Sequence, residues 1–261
     1  TWSPQLGMLV GLGEFDAGFI TKLKPSLRAS VSRNFRVPTF NELYYSGGGG
    51  IGNRALRPER STGFDVGTSI RFLLAGEHQL QATYFVNDMT DRIVWVAAGS
   101  GTVAPRNLRR VRSEGLESSY RWSVLDRMFL LEASYTSSNS RKLSADYSGD
   151  PTVNTQLIYI PQETFNISAA STVRLDSSVV NEISGTIGYS FVGFRYHTED
   201  NTGFLPPHRL VNAGVRTRLS VDRLALHIKC EVNNLFNEDY QVILGYPMPM
   251  SSYRLTFGIE Y

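Results

Sequence analysis

The chain has 261 residues, a formal charge of +2 with acids and bases interspersed, and one cysteine, Cys230. This excludes an internal disulfide framework and a cysteine-based zinc site, and the lack of a Lys/Arg block argues against nucleic acid as a partner. Hydrophobic residues make up 41 %, yet no apolar run approaches the ~18–20 residues of a membrane helix, so only strands offer a way across a bilayer.

Taken in order, the chain reads as strands. It has no initiator Met or signal peptide, and it already reads as strand at residues 5–11, which predicts that the N-terminal part of a longer protein lies outside it. Period-two alternation then recurs at 26–34, 64–72, 79–96, 116–124, 128–137, 164–175, 183–195, 210–221, 223–232 and 253–261. The last of these is the cleanest: Tyr253, Leu255, Phe257, Ile259 and Tyr261 share one face, and Arg254, Thr256, Gly258 and Glu260 the other. In 64–72, Phe64, Val66, Ile70 and Phe72 oppose Asp65, Gly67, Ser69 and Arg71.

The connections alternate in length. Short ones are expected at Ala75-Gly76-Glu77, Leu125-Asp126-Arg127, Asp176-Ser177-Ser178 and Asp222-Arg223, and long ones at 35–60, 97–108, 138–160, 196–208 and 237–250. Short turns at one end and long loops at the other are the layout of outer-membrane barrels. The polar faces carry Arg28, Arg71, Arg121, Arg174, Arg216, Arg218, Lys229, Asp65, Glu117, Glu132 and Glu231. An Arg or Lys facing lipid at mid-bilayer costs ~2–4 kcal/mol, so these faces are expected to line a polar lumen. Tyr84, Trp95, Tyr120, Trp122, Tyr189, Tyr253 and Tyr261 fall near strand ends on the apolar faces, as in an interfacial aromatic girdle.

The fold expected is all-β, an antiparallel transmembrane β-barrel with about eleven strands present. An odd count does not close a purely antiparallel barrel, and open edges are not tolerated in lipid, so eleven strands suggests a partial barrel.

Three motifs exceed this patterning. Phe35-Arg36-Val37-Pro38-Thr39-Phe40-Asn41-Glu42-Leu43-Tyr44 follows an early strand, and Gly52-Asn53-Arg54-Ala55-Leu56-Arg57-Pro58-Glu59 precedes the next. Asn234-Leu235-Phe236-Asn237-Glu238-Asp239-Tyr240 lies before the last strand. In this order, with a terminal aromatic strand, they closely resemble the C-terminal barrel of TonB-dependent outer-membrane receptors, across essentially the whole chain. The resemblance implies a 22-stranded barrel of which residues 1–261 form the C-terminal half, with a plug domain and N-terminal strands absent from this sequence. It implies a bacterial outer-membrane location among lipid, coupling to the TonB complex through the plug, and import of ferric siderophores, haem, cobalamin or sometimes glycans. It makes Phe257 and Tyr261 part of the signal read by the barrel-assembly machinery. Gly245-Tyr246-Pro247-Met248-Pro249 resembles the last extracellular loop of cobalamin-receptor-like members, although many siderophore receptors carry similar segments.

Each motif also has a structural reading. Phe35, Arg36, Pro38 and Glu42 are expected to fold a strand end and loop base against the wall, as are Asn53, Pro58 and Glu59. The two prolines fix φ and remove a donor where pairing ends. Asn234, Leu235, Phe236 and Tyr240 are expected to form a rim turn. Gly47-Gly48-Gly49-Gly50 has no following Lys-Ser/Thr or helix, so it reads as a flexible loop tip rather than a phosphate loop. His78, His197, His208 and His227 lack paired spacing, which argues against a metal site, although His197 and His208 share one expected loop. Asp146, Asp150, Glu199 and Asp200 read as solvated loop acids. No nucleophile motif or acid–base pair supports catalysis, and no cofactor is implied.

A bulky nutrient needs rigid aromatic contact area on the outer loops. The candidates are Tyr44, Tyr45, Tyr147, Tyr196, His197 and Tyr246. Two other classes share the alternation: a passive porin-like barrel, and a soluble β-rich binding module whose apolar faces would pack on a second layer.

Overall fold

The computed structural model describes residues 2–99, 101–124, 128–177, 179–221 and 224–260. Eleven long strands form one antiparallel path in which each strand pairs with its neighbours in sequence. They are β1 (Gln5–Gly11), β2 (Ile20–Arg36), β3 (Glu59–Leu73), β4 (Glu77–Gly99), β5 (Thr102–Val124) and β6 (Phe129–Lys142). The path continues through β7 (Glu163–Arg174), β8 (Val180–Val192), β9 (His208–Val221), β10 (Leu224–Asn233) and β11 (Ser252–Glu260). It does not close: β1 and β11 are bonded on one side only, as the odd strand count predicts. No helix among the described residues is long and apolar enough to cross a membrane.

The two faces divide as the alternation predicts. Ion pairs and hydrogen bonds decorate one face: Arg121–Glu132 at 3.2 Å, Lys229–Glu231 at 2.6 Å, and Arg28 Nη2 donating to Thr83 Oγ1 at 2.6 Å. The other face is apolar and bare, with Leu255, Phe257 and Ile259 more than half exposed. Among the described residues, no second layer covers it. A soluble sandwich would bury such a face; a bilayer matches it.

The register shows how that face meets a membrane. One hydrogen-bonded row runs Phe72–His78–Trp122–Leu131–Ala169–Ile187–Ala213–Val232–Tyr253. It begins at the turn end of β3 and reaches the loop end of β11, crossing the apolar band diagonally. On β3 the band instead rises to Phe64, four register rows higher. Four rows of two residues against eight inter-strand steps give a strand tilt of about 35°, within the range of membrane barrels. The band is then roughly 20 Å tall, close to the ~25 Å of such proteins.

Stacked rings mark the turn end. Phe72 lies on His78 at 4.6 Å, His78 on Trp122 at 5.9 Å, and Trp122 meets Phe129 edge-on at 5.4 Å. Trp95 does not belong to this girdle. It sits nine residues beyond Val86, the last apolar residue of the band on β4, and packs edge-on against Tyr45 at 6.1 Å. Tyr261 lies outside the described residues, as do 125–127, Ser178, Asp222 and Arg223 of the expected short turns.

The expected long loop at 97–108 is corrected. β4 and β5 stay paired from Glu77↔Ser123 to Gly99↔Thr102, so the connection is a tight turn on a hairpin that stands far above the band. The hairpin's upper part meets water and other loops rather than lipid, so it lacks the lipid-facing alternation that marks a membrane strand.

Candidate functional site

The loop end is where the chain builds its core. Leu108 and Val111 of β5 are buried with Leu157 of the 143–162 loop, and Met89, Val94 and Ile160 pack around them. Four loop segments bond sideways into one belt above the band.

The first segment follows β2. Thr39 caps a one-turn helix, α1 (Phe40–Tyr44): its hydroxyl accepts from the Glu42 backbone N–H, and the Glu42 carboxylate accepts from the Thr39 N–H at 2.7 Å. Arg36 clamps this turn to the sheet. Its guanidinium reaches Glu42 at 3.0 Å and Glu59 at 2.7 Å, and Glu59 also accepts from the Ile93 N–H. Burial alone would raise the Glu42 carboxyl, but the Arg36 and Thr39 hydrogen bonds outweigh it and hold the group below its ordinary value. Asn53 donates to the Pro105 carbonyl at 3.1 Å, joining the segment to the tall hairpin. The contacts of Arg36, Glu42, Asn53 and Glu59 are thus internal to the rim.

The glycine run is not a loose tip. Ser46–Gly47 and Gly50–Ile51 pair as a small hairpin, turning at Gly48 and Gly49 with φ of 52° and 81°. A Cβ on Gly50 would lie 2.7 Å from the Tyr45 ring, so glycine permits that ring to pack down.

The 143–162 loop hangs on a buried charge cluster. Lys142 Nζ reaches Asp150 at 2.5 Å, Asp146 at 2.7 Å and Thr152 Oγ1 at 2.9 Å. Asp150 further accepts from the backbone N–H groups of Asp146 and Thr152, both at 2.9 Å. Asp150 is therefore not a solvated acid. Burial pushes its carboxyl up, but Lys142 and Thr152 pull harder and hold it well below the usual carboxylate range. A depressed carboxyl contributes stability above its unfolded value, about 3.9, that disappears as pH falls through the folded value. The loop is expected to keep its amide protection from neutral pH down to about pH 4 and to lose it only in stronger acid. Hydrogen exchange at the Asn154 and Leu157 amides, which donate to Lys142 and Ser140 carbonyls, reads this directly.

The 193–207 loop joins the same belt. Glu199 pairs with Arg106, and Asn201 exchanges hydrogen bonds with the Gln156 backbone at 2.7 and 2.9 Å. Asp200 accepts from Thr202 in its own turn. Arg195, almost fully buried, donates to the Gln241 carbonyl at 2.7 Å and links the final loop. His208 is buried and stacks on Tyr240 at 4.4 Å rather than facing outward. Asn234, at φ 52°, binds Asn212, Glu238 and Ser251 around the last rim turn, while Phe236 is exposed. Asn234→Ala keeps the backbone bonds to Asn212 and Ser251 but removes the two side-chain bonds with the Glu238 backbone and the residue's tolerance of left-handed backbone. It is expected to cost about 2–3 kcal/mol, read as a lowered urea midpoint of the refolded receptor.

The six ligand candidates occupy separate stretches of this belt. Tyr44, with Arg54 over its ring at 5.1 Å, and Tyr45 lie on the first segment. Tyr147 is exposed on the second, Tyr196 and His197 are partly buried on the third, and Tyr246 is exposed on the last. Sequence reasoning missed the Lys142 cluster and Arg195. Lys142 and Asp146 stand four apart, but nothing in one sequence says that the loop turns back over them.

A family model described as TonB dependent receptor-like, beta-barrel matches residues 1–235. The chain belongs to the TonB-dependent receptor β-barrel family. It is 27 % identical over 216 residues to the vitamin B12 transporter BtuB of Vibrio vulnificus, covering 82 % of this chain and 30 % of that protein. It is 25 % identical over 238 residues to BtuB of Photobacterium profundum, covering 87 % and 34 %. The chain thus spans about a third of these relatives. Its fold matches the ferric-catecholate import receptor Fiu of E. coli K12 with a TM-score of 0.65 at 20 % identity, over 97 % of this chain and 34 % of that one. It also matches the ferric yersiniabactin uptake receptor FyuA of Yersinia pestis, with a TM-score of 0.64 at 15 % identity over 98 % and 36 %. Family members are outer-membrane barrels that act as transporters or receptors.

Proposed function

We propose that residues 1–261 are the C-terminal half of a 22-stranded barrel in a receptor that takes up a scarce nutrient by TonB-coupled transport. The family match over residues 1–235 carries this reading. The two unpaired edges support it, since eleven further strands would pair both. Energy coupling would come through a plug inside the polar wall. Ligand capture falls to the loop belt, with Tyr44, Tyr45, Tyr147, Tyr196, His197 and Tyr246 as its aromatic contacts. The names of the sequence relatives make cobalamin the first ligand to test, ahead of ferric siderophores and haem.

The test is cobalamin uptake by the complete receptor in cells lacking other outer-membrane routes, with and without TonB. Saturable uptake that disappears without TonB is expected. Non-saturable flux that persists without TonB would instead assign a passive pore. TonB-dependent uptake of a siderophore but not cobalamin would keep the transport class and replace the ligand.

A further inference from the structure

Two loops of the belt meet through a pair of buried basic residues. Arg195–Tyr196 pairs with Phe204–Leu205 as a small hairpin of the 193–207 loop, and Gln241–Ile243 pairs with Tyr246–Pro247 in the final loop. Arg195 Nη2 donates to the Gln241 carbonyl at 2.7 Å, and the His208 ring stacks on Tyr240 at 4.4 Å, with 26° between the planes. Tyr240 and Gln241 in turn anchor the final loop. The Tyr240 carbonyl accepts from the Met248 N–H at 3.0 Å, and the Gln241 side chain accepts from the Gly245 N–H at 2.7 Å. Arg195 is 3 % exposed and His208 5 %. Arg195 Nε and His208 Nδ1 are buried without a hydrogen-bond partner. Among the described residues, Arg195 forms no ion pair.

His208 opens β9 above Val211, the last apolar residue of that strand's outer face, so it lies outside the membrane-spanning part. The groups that act on it are Arg195 from the 193–207 loop and Glu238 from the last rim turn, with Tyr240 against its ring. Arg209, next to it in sequence, points to the opposite face and lies over Phe191 at 5.8 Å. Burial first, and the Arg195 cation second, hold the imidazole below its ordinary value, with Glu238 opposing them. A neutral ring fits this place. An imidazolium would set a second cation beside Arg195 in a site closed to water. The Tyr240 face attracts a cation weakly but supplies no counter-charge. Above the ordinary histidine value, about 6.5, the ring is neutral whether the loops are joined or apart, so the joined arrangement keeps its full strength. As pH falls from there toward the lower folded value, the parted arrangement takes the proton first and the joined one weakens.

We infer that His208 and Arg195 form an acid-released latch between the 193–207 loop and the final loop, closed at neutral pH and opened when His208 takes a proton. Opening parts Tyr196 and His197 from Tyr246, so the belt changes shape with the acidity of the medium. The latch goes beyond the transport reading and does not depend on which ligand the belt captures.

The test is amide hydrogen exchange of the complete receptor in detergent micelles at about pH 7.5 and about pH 5, expressed as protection relative to unstructured peptides at the same pH. Protection of the Gly245 and Met248 amides is expected to fall about tenfold at the lower pH. The Asn154 and Leu157 amides beside the Lys142 cluster, and those of β7 and β8, should keep theirs. H208F keeps a ring against Tyr240 and cannot titrate, so its protection should be the same at both pH values. The His208 ring resonance of the wild-type receptor should titrate with the midpoint of the loop's loss, which decides the matter even if H208F does not refold. Protection unchanged at the lower pH, a loss of equal size in H208F, or a ring midpoint apart from that of the loop overturns the latch. A loss shared equally by β7 and β8 is general unfolding and overturns it as well.

Discussion

Ile187→Arg is expected to cost about 2–4 kcal/mol of stability in a bilayer, whereas Thr186→Arg, one residue away, costs little. Ile187 lies mid-strand on the bare apolar face, 54 % exposed, and pairs with Ala169 and Ala213 on that face. A guanidinium there must be pulled from water into hydrocarbon. Thr186 points the other way, beside Gly214 and Ala170 on the polar wall, where a charge stays hydrated. Urea unfolding of the two refolded variants in the same vesicles checks this. Equal costs would mean that the faces are assigned wrongly, or that both meet a protein layer.

The second large effect is expected at the Lys142 cluster. Lys142→Met leaves Asp146 and the buried Asp150 without their cation, a change that typically costs about 3–5 kcal/mol. Here the loss should appear as local opening of the 143–162 loop rather than as loss of the barrel, because the strands below hold their own ladder. Amide exchange at Asn154, Leu157 and Tyr159 should accelerate while exchange in β7 and β8 stays slow. Adding Asp150→Asn should recover part of the loss, since the second substitution removes the stranded charge.

What the sequence disclosed follows from what each region faces. Between lipid and lumen the alternation is enforced at every residue, so β11 was legible almost to its ends and β3 over the 64–72 stretch of Glu59–Leu73. Above the band that constraint lapses. The top of the β4–β5 hairpin, with Pro105 buried and Asn107 bonded to the Arg57 and Asp91 carbonyls, gives no period-two signal and reads as a loop. The site was harder still. Asp150 looks like an ordinary loop acid, and Arg195 like the end of an expected strand, until the fold brings Lys142 and Gln241 to them, and those contacts join residues 8 to 46 positions apart. Trp95 was misplaced for the same reason: a tryptophan near an expected strand end resembles a girdle residue unless the strand is known to continue.

The strictly sequential pairing of the strands has a kinetic consequence. Each hairpin closes a short segment of chain, so the entropic cost of ordering is met in small instalments and early pairings do not wait for distant ones. A wall of this kind can grow one hairpin at a time, always presenting a single new edge to the next strand. In the proposed 22-stranded barrel the slow, committed event is deferred to the seam, where the free side of Ser252–Glu260 must find the first strand of the whole wall. Until then that edge is open to any strand that reaches it, including another copy of the same chain, so misassembly should concentrate there rather than along the wall.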